Sequence, residues 1–443
     1  MSALAYVLAQ RKLPVSGSDL SLNHITKRLQ EQGVQIFWQQ DASNLSSSQA
    51  VALPQVICST AINSNNAEYR AALDLGCPIF HRSDLLAALM AEHQGIAVAG
   101  THGKTTTSSM IGYLLLQAGL DPTIIVGGEV NAWEGNARVG HSPYLVAEAD
   151  ESDGSLVKIP SYLGVVTNIE LDHPDHYATL EQVVDIFKAF VGKCQTLIGC
   201  IDCPVVREQL QPTLSYSLNP ALHADYTVDR ITYSSTGTTA EVWERGKRLG
   251  SLRVQLLGEH NLSNALAAVA VGRSLGLEFD QIATILSTFS GARRRFEVRG
   301  EANGITFIDD YAHHPSEVQA TLAAAHLRAQ DGISRRVVAV FQPHRYSRTQ
   351  AFLEDFGQSF GYADLVVATD IYSAGEPIGS ITGQHLADAI AAHHAQVVYQ
   401  PTLQAVSAYL METLASGDLV LFLGAGNLNR IIPDLVAHYQ QIE

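Results

Sequence analysis

Short runs of apolar and β-branched residues alternate with longer segments of helical periodicity along nearly the whole chain. Parallel strands need a crossover connection, usually a helix, so this alternation is typical of βαβ units and predicts an α/β protein. Over residues 1–91 the predicted helices cover 3–12, 22–32 and 66–75, and the predicted short strands lie within 14–19 and at 34–37, 55–58 and 78–80.

Two further segments follow, and the basic residues Arg293, Arg294 and Arg295 are interpreted as a hinge between them. The segment 92–293 contains a polar, β-rich stretch at 222–256. The segment 294–443 has a doubly wound pattern, in which strands and helices alternate closely. The predicted strands are 96–99, 144–147, 163–167, 305–308, 336–341, 364–368, 396–399 and 418–423, and the predicted helices are 261–275, 315–329, 349–360 and 383–393.

Composition agrees with this organisation and excludes several classes of function. A length of 443 residues corresponds to roughly three domains. The 28 basic and 44 acidic residues give a net charge of -16, the wrong sign for binding nucleic acid over a broad face. No apolar stretch of about 20 residues and no signal peptide are found, so we expect no membrane partner. Five cysteines without regular spacing indicate a reducing compartment, and we expect a cytoplasmic protein.

The strongest chemical signal is the segment IAVAGTHGKTTT at residues 96–107, which predicts a buried strand, a glycine-containing loop and a helix. Gly100 and Gly103 allow backbone N–H groups to approach a phosphate, and the helix N-terminus adds the positive end of its dipole. Lys104 is placed to reach the outer phosphates and the Thr105 hydroxyl to bind magnesium. The match to the general P-loop pattern is imperfect, because residue 98 is valine rather than glycine.

Acidic and histidine residues follow the next two predicted strands. Glu148 directly follows the strand 144–147, and His173 follows the strand 163–167. If both strands run parallel to the one before the glycine loop, these side chains emerge beside Lys104, where they would suit magnesium. Taken singly, the acidic residues after Glu148 are interpreted as a solvated loop. That loop contains Asp150, Glu151 and Asp153, and an alternative zinc site would use Asp172, His173, Asp175 and His176.

Further candidates lie on the helix that begins near residue 261 and after two later strands. Asn261 and Asn264 are three residues apart on one helix face, where their amides could serve a nucleotide base or one of them could cap the helix. Arg345 and Arg348 follow the predicted strand 336–341. Because arginine recognises carboxylates through two parallel hydrogen bonds, this pair suggests a small carboxylate ligand, with a surface ion pair as the alternative.

Together these motifs resemble the Mur ligase family of ATP-dependent amide-forming enzymes. The motifs GTHGKTTT, EADESD, TNIELDH, HNLSNA, RRRFE, DDYAHHPSE and PHRYSRT occur in this order between about residues 95 and 430. The resemblance implies an α/β fold of three domains. These are a UDP-sugar-binding Rossmann-like domain over 1–91, a central P-loop ATPase-type domain over 92–293, and a C-terminal Rossmann-like domain over 294–443 that closes over the site.

The resemblance also implies the reaction and its partners. ATP, with Mg²⁺, phosphorylates the carboxylate of UDP-N-acetylmuramate, and the amine of L-alanine attacks the acyl phosphate; no obligate protein partner is expected. The PHRYSRT motif favours this substrate pair over the murein tripeptide that a related family member recycles. A nucleotide-gated switch and a dinucleotide oxidoreductase are the alternatives from other classes, and the glycine loop with lysine argues against hydride transfer.

The site residues implied by the resemblance fall into four groups. The phosphates of ATP are bound by Gly100, Thr101, His102, Gly103, Lys104, Thr105 and Thr106, and its remaining contacts come from Asn261, Asn264, Arg295 and Asp310. Magnesium is held by Thr105, Glu148 and His173. Lys104, Glu148, His173 and Arg295 are the catalytic residues. The substrates are bound by Ser18, Asp19, Ser59, His344, Arg345 and Arg348, whereas Lys188, the candidate for a modified lysine, is assigned no role.

One departure from the family pattern concerns the beginning of the chain. Family members begin with a strand and a glycine-rich turn of the form GIGGxGM, and this sequence begins at the methionine of that motif. We therefore expect the first domain to lack a central strand and the loop that approaches the UDP pyrophosphate. Two interpretations stay open: a start site further upstream, or a truncated, inactive form with impaired UDP-sugar binding.

Overall fold

The computed structural model describes residues 1–20, 23–46, 53–330 and 336–441. In its first part, β1 pairs in parallel with β2 and β3 pairs in parallel with β4, and no ladder joins the two pairs within the described residues. Residue 22, where the second predicted helix begins, lies outside the described residues. The elements are α1 (Ser2–Gln10), β1 (Ser16–Ser18), α2 (His24–Glu31), β2 (Gln35–Phe37), α3 (Ser43–Ser46), β3 (Val56–Cys58), α4 (Ala67–Asp74), β4 (Ile79–His81) and α5 (Arg82–Ala91).

The middle of the chain forms one large mixed sheet, here named the central sheet. Its described strands follow the order β14-β13-β12-β11-β10-β9-β5-β8-β6-β7. Parallel pairing prevails except in the β12–β14 meander and the β6–β7 pair. The elements are β5 (Gln94–Ala99), α6 (Lys104–Gln117), β6 (Thr123–Val130), β7 (Gly135–Arg138), β8 (Tyr144–Glu148), β9 (Ser161–Val166), α7 (Leu180–Val191), β10 (Cys194–Cys200), β11 (Leu214–Ser217), β12 (Tyr226–Ser234), β13 (Gly237–Glu244), β14 (Lys247–Val254), α8 (Glu259–Ser274) and α9 (Phe279–Leu286).

The last part forms a second sheet, here named the C-terminal sheet, with the strand order β15-β16-β20-β17-β18-β19 among the described residues. All its pairings are parallel except that of the edge strand β15 with β16. The elements are β15 (Glu297–Ala302), β16 (Ile305–Asp310), α10 (Pro315–Gln330), β17 (Arg336–Phe341), α11 (Tyr346–Ala351), α12 (Leu353–Gln358), β18 (Leu365–Ala368), α13 (Gly383–Ala391), β19 (Val397–Tyr399), α14 (Leu403–Thr413), β20 (Asp418–Leu423) and α15 (Ile432–Gln440).

Two predicted elements differ from the structure in ways that matter for the site. The helix predicted over 349–360 is divided into α11 and α12 at Phe352, whose φ of -114° and ψ of 24° are not helical. The Phe352 ring instead packs edge-on against His314, with ring centroids 4.9 Å apart. The helix predicted over 261–275 begins two residues earlier, at Glu259, with Gly258 as its N-cap. Asn261 and Asn264 are therefore both inside the helix, and the capping alternative is wrong for both.

Alternating residues of the central sheet face two separate cores, as the period of two in a strand requires. Ile96 and Val98 of β5 pack in the core beneath α6 and α8, whereas Ala97 and Ala99 pack in the core that includes α1, α5 and α7. Helices α1 and α5 come from the first part of the chain, so they attach that part to the central sheet. Within the described residues, no helix is long and apolar enough to cross a membrane.

A substitution at Phe187 tests the core that includes α1, α5 and α7. Phe187 is fully buried on α7, and we expect Phe187→Ala to destabilise the protein by about 3–5 kcal/mol, through lost burial and the cavity that remains. Phe80→Ala is the matched control, because 40% of Phe80 is exposed, and a loss of about 1 kcal/mol or less is expected. Thermal and denaturant unfolding measure both. Equal losses in the two variants would contradict the assignment of Phe187 to the core.

Candidate active site

The glycine loop predicted between β5 and α6 has the backbone that a phosphate cradle requires. Gly100 and Gly103 have φ values of 140° and 81°, a region that side chains disfavour. A Cβ at Gly100 would overlap the Thr167 hydroxyl, and one at Gly103 would lie 2.7 Å from Oδ1 of Asn264. The loop leads directly into the N-terminus of α6 at Lys104. Both positions are therefore restricted to glycine by conformation and by space.

The strand order confirms that the glycine loop and the acidic strand ends share one edge of the sheet. Strand β5 lies between β8 and β9 and runs parallel to both, with Val98 opposite Glu148 and Ala99 opposite Val166. Carboxyl ends of neighbouring parallel strands meet at the same edge, and ligands of open α/β sheets bind there. This arrangement brings Glu148 beside the start of α6.

Lys104 is held by a buried network rather than extending into solvent. Its Nζ donates to Gly100 O at 2.6 Å, to Thr101 O at 3.1 Å and to Glu151 Oε2 at 2.8 Å. Burial favours a lower pKa for Lys104, but the charges of Glu151, Asp150 and Glu148 outweigh it and raise the pKa above its usual value. Lys104 is therefore a fixed positive charge at the position where the outer phosphates of a nucleotide are expected.

The prediction of a solvated acidic loop after Glu148 is wrong for most of its residues. Glu151 is only 2% exposed, because its carboxylate turns inward to Lys104. The Asp153 side chain is also buried and accepts a hydrogen bond from Arg82 Nη2 at 2.8 Å. Asp150 is half-buried and bonds to the same guanidinium at 3.1 Å. Sequence alone did not indicate this because the cationic partners lie 47 and about 70 residues earlier.

Thr105 and Glu148 form the oxygen-rich corner of the site. The Thr105 hydroxyl donates to Glu148 Oε2 at 2.9 Å, and the backbone N–H of Gly127 donates to the same oxygen at 2.8 Å. A Cβ at Gly127 would lie 2.5 Å from this oxygen, so the backbone of β6 approaches Glu148 closely. A hydroxyl and a carboxylate with few other protein donors suit magnesium, which retains several waters.

His173 occupies a strained position next to Asp172. Its φ of 54° is in the left-handed region. Burial lowers the pKa of His173 to about 4, with Asp172 opposing and Arg348 reinforcing the shift. The imidazole is therefore neutral near pH 7, which is the form that binds a metal ion. Lys188, by contrast, is exposed on α7 and its Nζ donates to Gln209 Oε1 at 2.9 Å.

Asn261 and Asn264 are buried and bond within the protein. Asn264 Oδ1 accepts a hydrogen bond from the Thr107 hydroxyl at 3.0 Å, and Asn264 Nδ2 lies 3.4 Å from Asn261 Oδ1. Asn261 Nδ2 donates to Leu257 O at 2.8 Å. The bond between Thr107 and Asn264 connects α6 to α8, and Asn264 also lies next to Gly103 of the glycine loop. The two amides therefore help to fix the position of the loop.

Arg295 and Asp310 lie where the hinge segment meets the end of β16. The Arg295 guanidinium lies over the Tyr311 ring, 5.2 Å from its centroid. Asp310 accepts backbone N–H bonds from Phe296 at 2.7 Å and from Ala312 at 2.8 Å. Burial raises the pKa of Asp310, and the charge of Arg295 opposes this shift. Asp310 therefore anchors the hinge to the C-terminal sheet.

The two predicted carboxylate-binding arginines connect the C-terminal sheet to the central one. Arg348 is 2% exposed and forms two hydrogen bonds with Asp172, at 2.9 and 3.1 Å. Arg345 bonds to Asp175. The alternative of a surface ion pair is thus wrong for Arg348, whose pair is buried. Because both aspartates are bound by arginines, they are not arranged as ligands of the alternative zinc site.

His344 directly precedes Arg345 in the chain and lies close to Arg348. Its ring stacks on Tyr372 with centroids 5.8 Å apart, and its Nδ1 is 3.4 Å from Arg348 Nη1. Burial lowers the pKa of His344 to about 3, and His313, Arg348 and Arg345 act in the same direction. The imidazole is neutral near pH 7. His344 therefore lies beside Arg348, and the assignment of His344, Arg345 and Arg348 to a small carboxylate ligand stays a prediction.

The structure also shows a cluster that the sequence analysis missed. His102 of the glycine loop lies between two carboxylates, with Nε2 3.2 Å from Glu170 Oε2 and Nδ1 3.2 Å from Glu317 Oε1. Burial alone would lower the pKa of His102, but these carboxylates outweigh it and raise the pKa to about 9. Glu170 also accepts a hydrogen bond from the Ser316 hydroxyl at 2.7 Å. The motifs TNIELDH and DDYAHHPSE contained these residues, but only the fold shows that they meet.

The candidate UDP-sugar residues lie at the ends of the short strands in the first part of the chain. Ser18 ends β1, and its hydroxyl donates to Glu68 Oε2 at 2.5 Å. The backbone N–H of Asp19 donates to Phe37 O at 3.0 Å. Ser59 directly follows β3 and is half-buried. Each residue is at the carboxyl end of a parallel strand, the edge at which ligands of such sheets bind.

The fold and the site define an α/β protein with a P-loop phosphate cradle whose acidic edge meets arginines of a second sheet. Comparison with known proteins then gives the family. The models "Mur ligase family, catalytic domain", "Mur ligase middle domain" and "Mur ligase, glutamate ligase domain" match residues 1–94, 98–272 and 294–426. The chain belongs to the Mur ligase family.

Similar proteins carry more specific names. The chain is 67% identical to the UDP-N-acetylmuramate–L-alanine ligase of Nostoc punctiforme, covering 99% of this chain and 94% of the relative. It is 63% identical to the enzyme of the same name from Cyanothece, over 100% and 93% of the two chains. Among solved structures, the UDP-N-acetylmuramate-alanine ligase of Thermotoga maritima is 25% identical with a TM-score of 0.85, covering 100% of this chain and 97% of that one. A murein peptide ligase from Psychrobacter arcticus, 23% identical with a TM-score of 0.73 over 100% and 97% of the chains, shows the same fold.

The buried pair of Arg348 and Asp172 yields a stability prediction. Asp172→Asn leaves a buried guanidinium without its counter-charge, and we expect a loss of about 3–5 kcal/mol in the free energy of unfolding. Burial alone would raise the pKa of Asp172, but the charge of Arg348, with smaller contributions from neighbouring histidines, outweighs it and lowers the pKa. The stabilisation is therefore complete above pH ~4, the ordinary carboxyl pKa, and is lost as the pH falls. Denaturant unfolding of wild type and variant between pH 3 and 7 measures both effects.

The matched control for this prediction is Glu92→Gln. Glu92 pairs with Arg11 at 2.6 Å, but its side chain is 60% exposed. An exposed pair contributes about 1 kcal/mol or less. If Asp172→Asn were as mild as Glu92→Gln, the Arg348 pair would not stabilise the contact between the two sheets.

Proposed function

We propose that this chain joins L-alanine to UDP-N-acetylmuramate in an ATP-dependent reaction of peptidoglycan precursor synthesis in the cytoplasm. The observation that carries this proposal is the arrangement of Lys104, Thr105 and Glu148 at one sheet edge, with Arg345 and Arg348 of the second sheet contacting the same edge. The names and the high identity of the relatives support the substrate pair. The likeness to the murein peptide ligase concerns the fold alone and does not favour tripeptide recycling.

The proposal assigns one domain to each of the three predicted segments. Residues 1–91 bind the UDP-sugar, 92–293 bind ATP, and 294–443 bind the amino acid and close over the site. The ranges of the three family models support these divisions. Ser18, Asp19 and Ser59 contact the UDP-sugar from the strand ends of the first domain.

The glycine loop supplies the nucleotide contacts. The phosphates are assigned to the backbone N–H groups of Gly100 and of Gly103 to Thr106, because those of Thr101 and His102 donate to Asn168. Lys104 neutralises charge on the transferring phosphoryl group. Phosphoryl transfer depends mainly on such positioning and charge stabilisation. The remaining contacts with ATP are proposed for Thr101, His102, Asn261, Asn264, Arg295 and Asp310.

Magnesium fits the oxygen donors of this corner, and we assign it to Thr105, Glu148 and the neutral His173. When bound there, the metal ion supplies positive charge to the phosphate oxygens. Thr105 and Glu148 already bond to each other at 2.9 Å, so a short rearrangement makes both oxygens available. Glu148 is held in place by the backbone N–H of Gly127.

The acceptor amino acid is proposed to bind next to the arginines. Its carboxylate is recognised by Arg345 and Arg348, with the neutral His344 beside them. In the structure these guanidinium groups are paired with the carboxylates of Asp172 and Asp175, and these pairs support the proposal. The bound amine then faces the acyl phosphate. Closure of the C-terminal domain excludes the water that would otherwise hydrolyse this intermediate.

The first test is phosphate release from ATP. Release is expected only when UDP-N-acetylmuramate and L-alanine are both present, because the carboxylate must first accept the phosphoryl group and the alanine amine must then displace phosphate from the acyl phosphate. Lys104→Ala should lower the rate by about 100-fold or more while the fold persists. Lys247→Ala is the matched control, because Lys247 is exposed at the start of β14. Release without either acceptor would indicate a simple nucleotide hydrolase instead.

The second test separates the amino-acid site from the nucleotide site. Arg345→Lys and Arg348→Lys retain the charge but lose the planar fork, so the KM for alanine should rise about 10- to 100-fold. The KM for ATP should change by no more than about twofold. Arg253→Lys, on the exposed face of β14, is the control. Unchanged alanine dependence in both arginine variants would refute their assignment.

A further inference from the structure

His102, Glu170 and His314 bring three metal-binding side chains together outside the magnesium corner. His102 comes from the glycine loop, Glu170 from the loop after β9, and His314 from the residue before α10. One ligand atom from each residue lies within 4.8 Å of the others. Among the described residues, this is the group of three His, Cys, Asp or Glu side chains placed closely enough to hold a metal ion. The cluster therefore spans the contact between the central and C-terminal sheets.

The distances approach those of a tetrahedral metal site. Zinc binds imidazole nitrogen and carboxylate oxygen at about 2.0–2.1 Å, which places neighbouring tetrahedral ligands roughly 3.3 Å apart. His102 Nε2 is 3.2 Å from Glu170 Oε2, and His314 Nδ1 is 3.9 Å from the same oxygen. The distance between His102 and Glu170 already has this length. Small side-chain rotations would shorten the distances from His314 to the other two ligand atoms.

A second observation concerns His314 itself. The residue is only 5% exposed, and its Nε2 is buried without a hydrogen-bond partner. Its ring lies 4.6 Å from that of His102, measured between centroids. The His314 nitrogen that lies 3.9 Å from Glu170 is Nδ1, so a metal ion bound between the two residues would use Nδ1 and leave Nε2 as the buried N–H group. His102 is protonated in this cluster, so a metal ion would displace the proton from Nε2, while Nδ1 keeps its bond to Glu317 at 3.2 Å.

We propose that His102, Glu170 and His314 form a binding site for a borderline transition-metal ion, with Zn²⁺ as its representative. Two imidazoles and one carboxylate are the ligand set of many zinc sites, in which a water molecule completes the tetrahedron. The set differs from the magnesium corner, where Thr105 and Glu148 supply oxygen donors and His173 the one nitrogen, because magnesium prefers oxygen donors. This inference does not depend on the proposed substrates.

A metal at this site would have a mechanical consequence. Its ligands come from the phosphate loop and from the element that opens the C-terminal helix α10. Bound metal would therefore hold the two sheets in the contact seen here, and separating them would require ligand loss. Metal binding should then stabilise the whole chain against unfolding.

Zinc titration of untagged, metal-stripped protein tests the proposal. Calorimetry should show about one equivalent bound to the wild type, and the thermal unfolding midpoint should rise with Zn²⁺ and return after chelation. Glu170→Gln and His314→Gln should each weaken binding at least about tenfold. His393→Gln is the matched control, because His393 is exposed in the same part of the chain. Circular dichroism of each variant checks that it folds.

Two further measurements locate the ion. Glu148→Gln should leave zinc affinity unchanged, and millimolar Mg²⁺ should not displace the zinc, if the ion lies at His102 rather than in the magnesium corner. Co²⁺ bound to the wild type should give the visible absorption of a four-coordinate ion with nitrogen and oxygen ligands, a readout that needs no variant. The proposal is overturned by absence of zinc binding, by unchanged binding in Glu170→Gln and His314→Gln, or by displacement with Mg²⁺.

Discussion

The parallel pairing of β5 with β8 and β9 is the constraint on which the site depends. It places the glycine loop, Glu148 and the segment around Asp172 at one edge of the central sheet. Had either neighbour run antiparallel, its carboxyl end would lie on the opposite edge, more than a strand length away. The buried cores on both faces hold this register, because a shift by one residue would move Ile96 and Val98 from one core to the other.

A second level of organisation comes from charge. The edge of the central sheet contains several carboxylates, and three of those discussed above are matched by a cation from a distant part of the sequence. Lys104 neutralises Glu151, Arg82 neutralises Asp153, and Arg348 neutralises Asp172. Breaking a buried pair strongly destabilises the fold, because removing either partner leaves an uncompensated buried charge. Of these three pairs, Arg348 with Asp172 joins the C-terminal sheet to the central one.

The sequence was sufficient to predict much of the fold and part of the site. Alternating apolar and helical segments predicted the α/β class, and the strands at 96–99, 144–147 and 418–423 are confirmed. Prediction from hydrophobic periodicity was wrong where a long-range contact determines the local structure or the burial of a side chain. Phe352 interrupts a predicted helix because its ring packs on His314, and Glu151 is buried because Lys104 lies opposite it. Such contacts leave no local periodicity, so only the folded chain reveals them.

The bonds of Lys104 have a consequence for how a nucleotide is received. Its ammonium group is bound by Gly100 O, Thr101 O and Glu151, so the long side chain is already ordered. Ordering a free lysine side chain costs about 1.5–2 kcal/mol in lost rotamer freedom. In this protein that entropy is lost during folding rather than on ligand binding. An arriving phosphate exchanges with a carboxylate at a preorganised cation, and the released Glu151 must then find another partner or a proton.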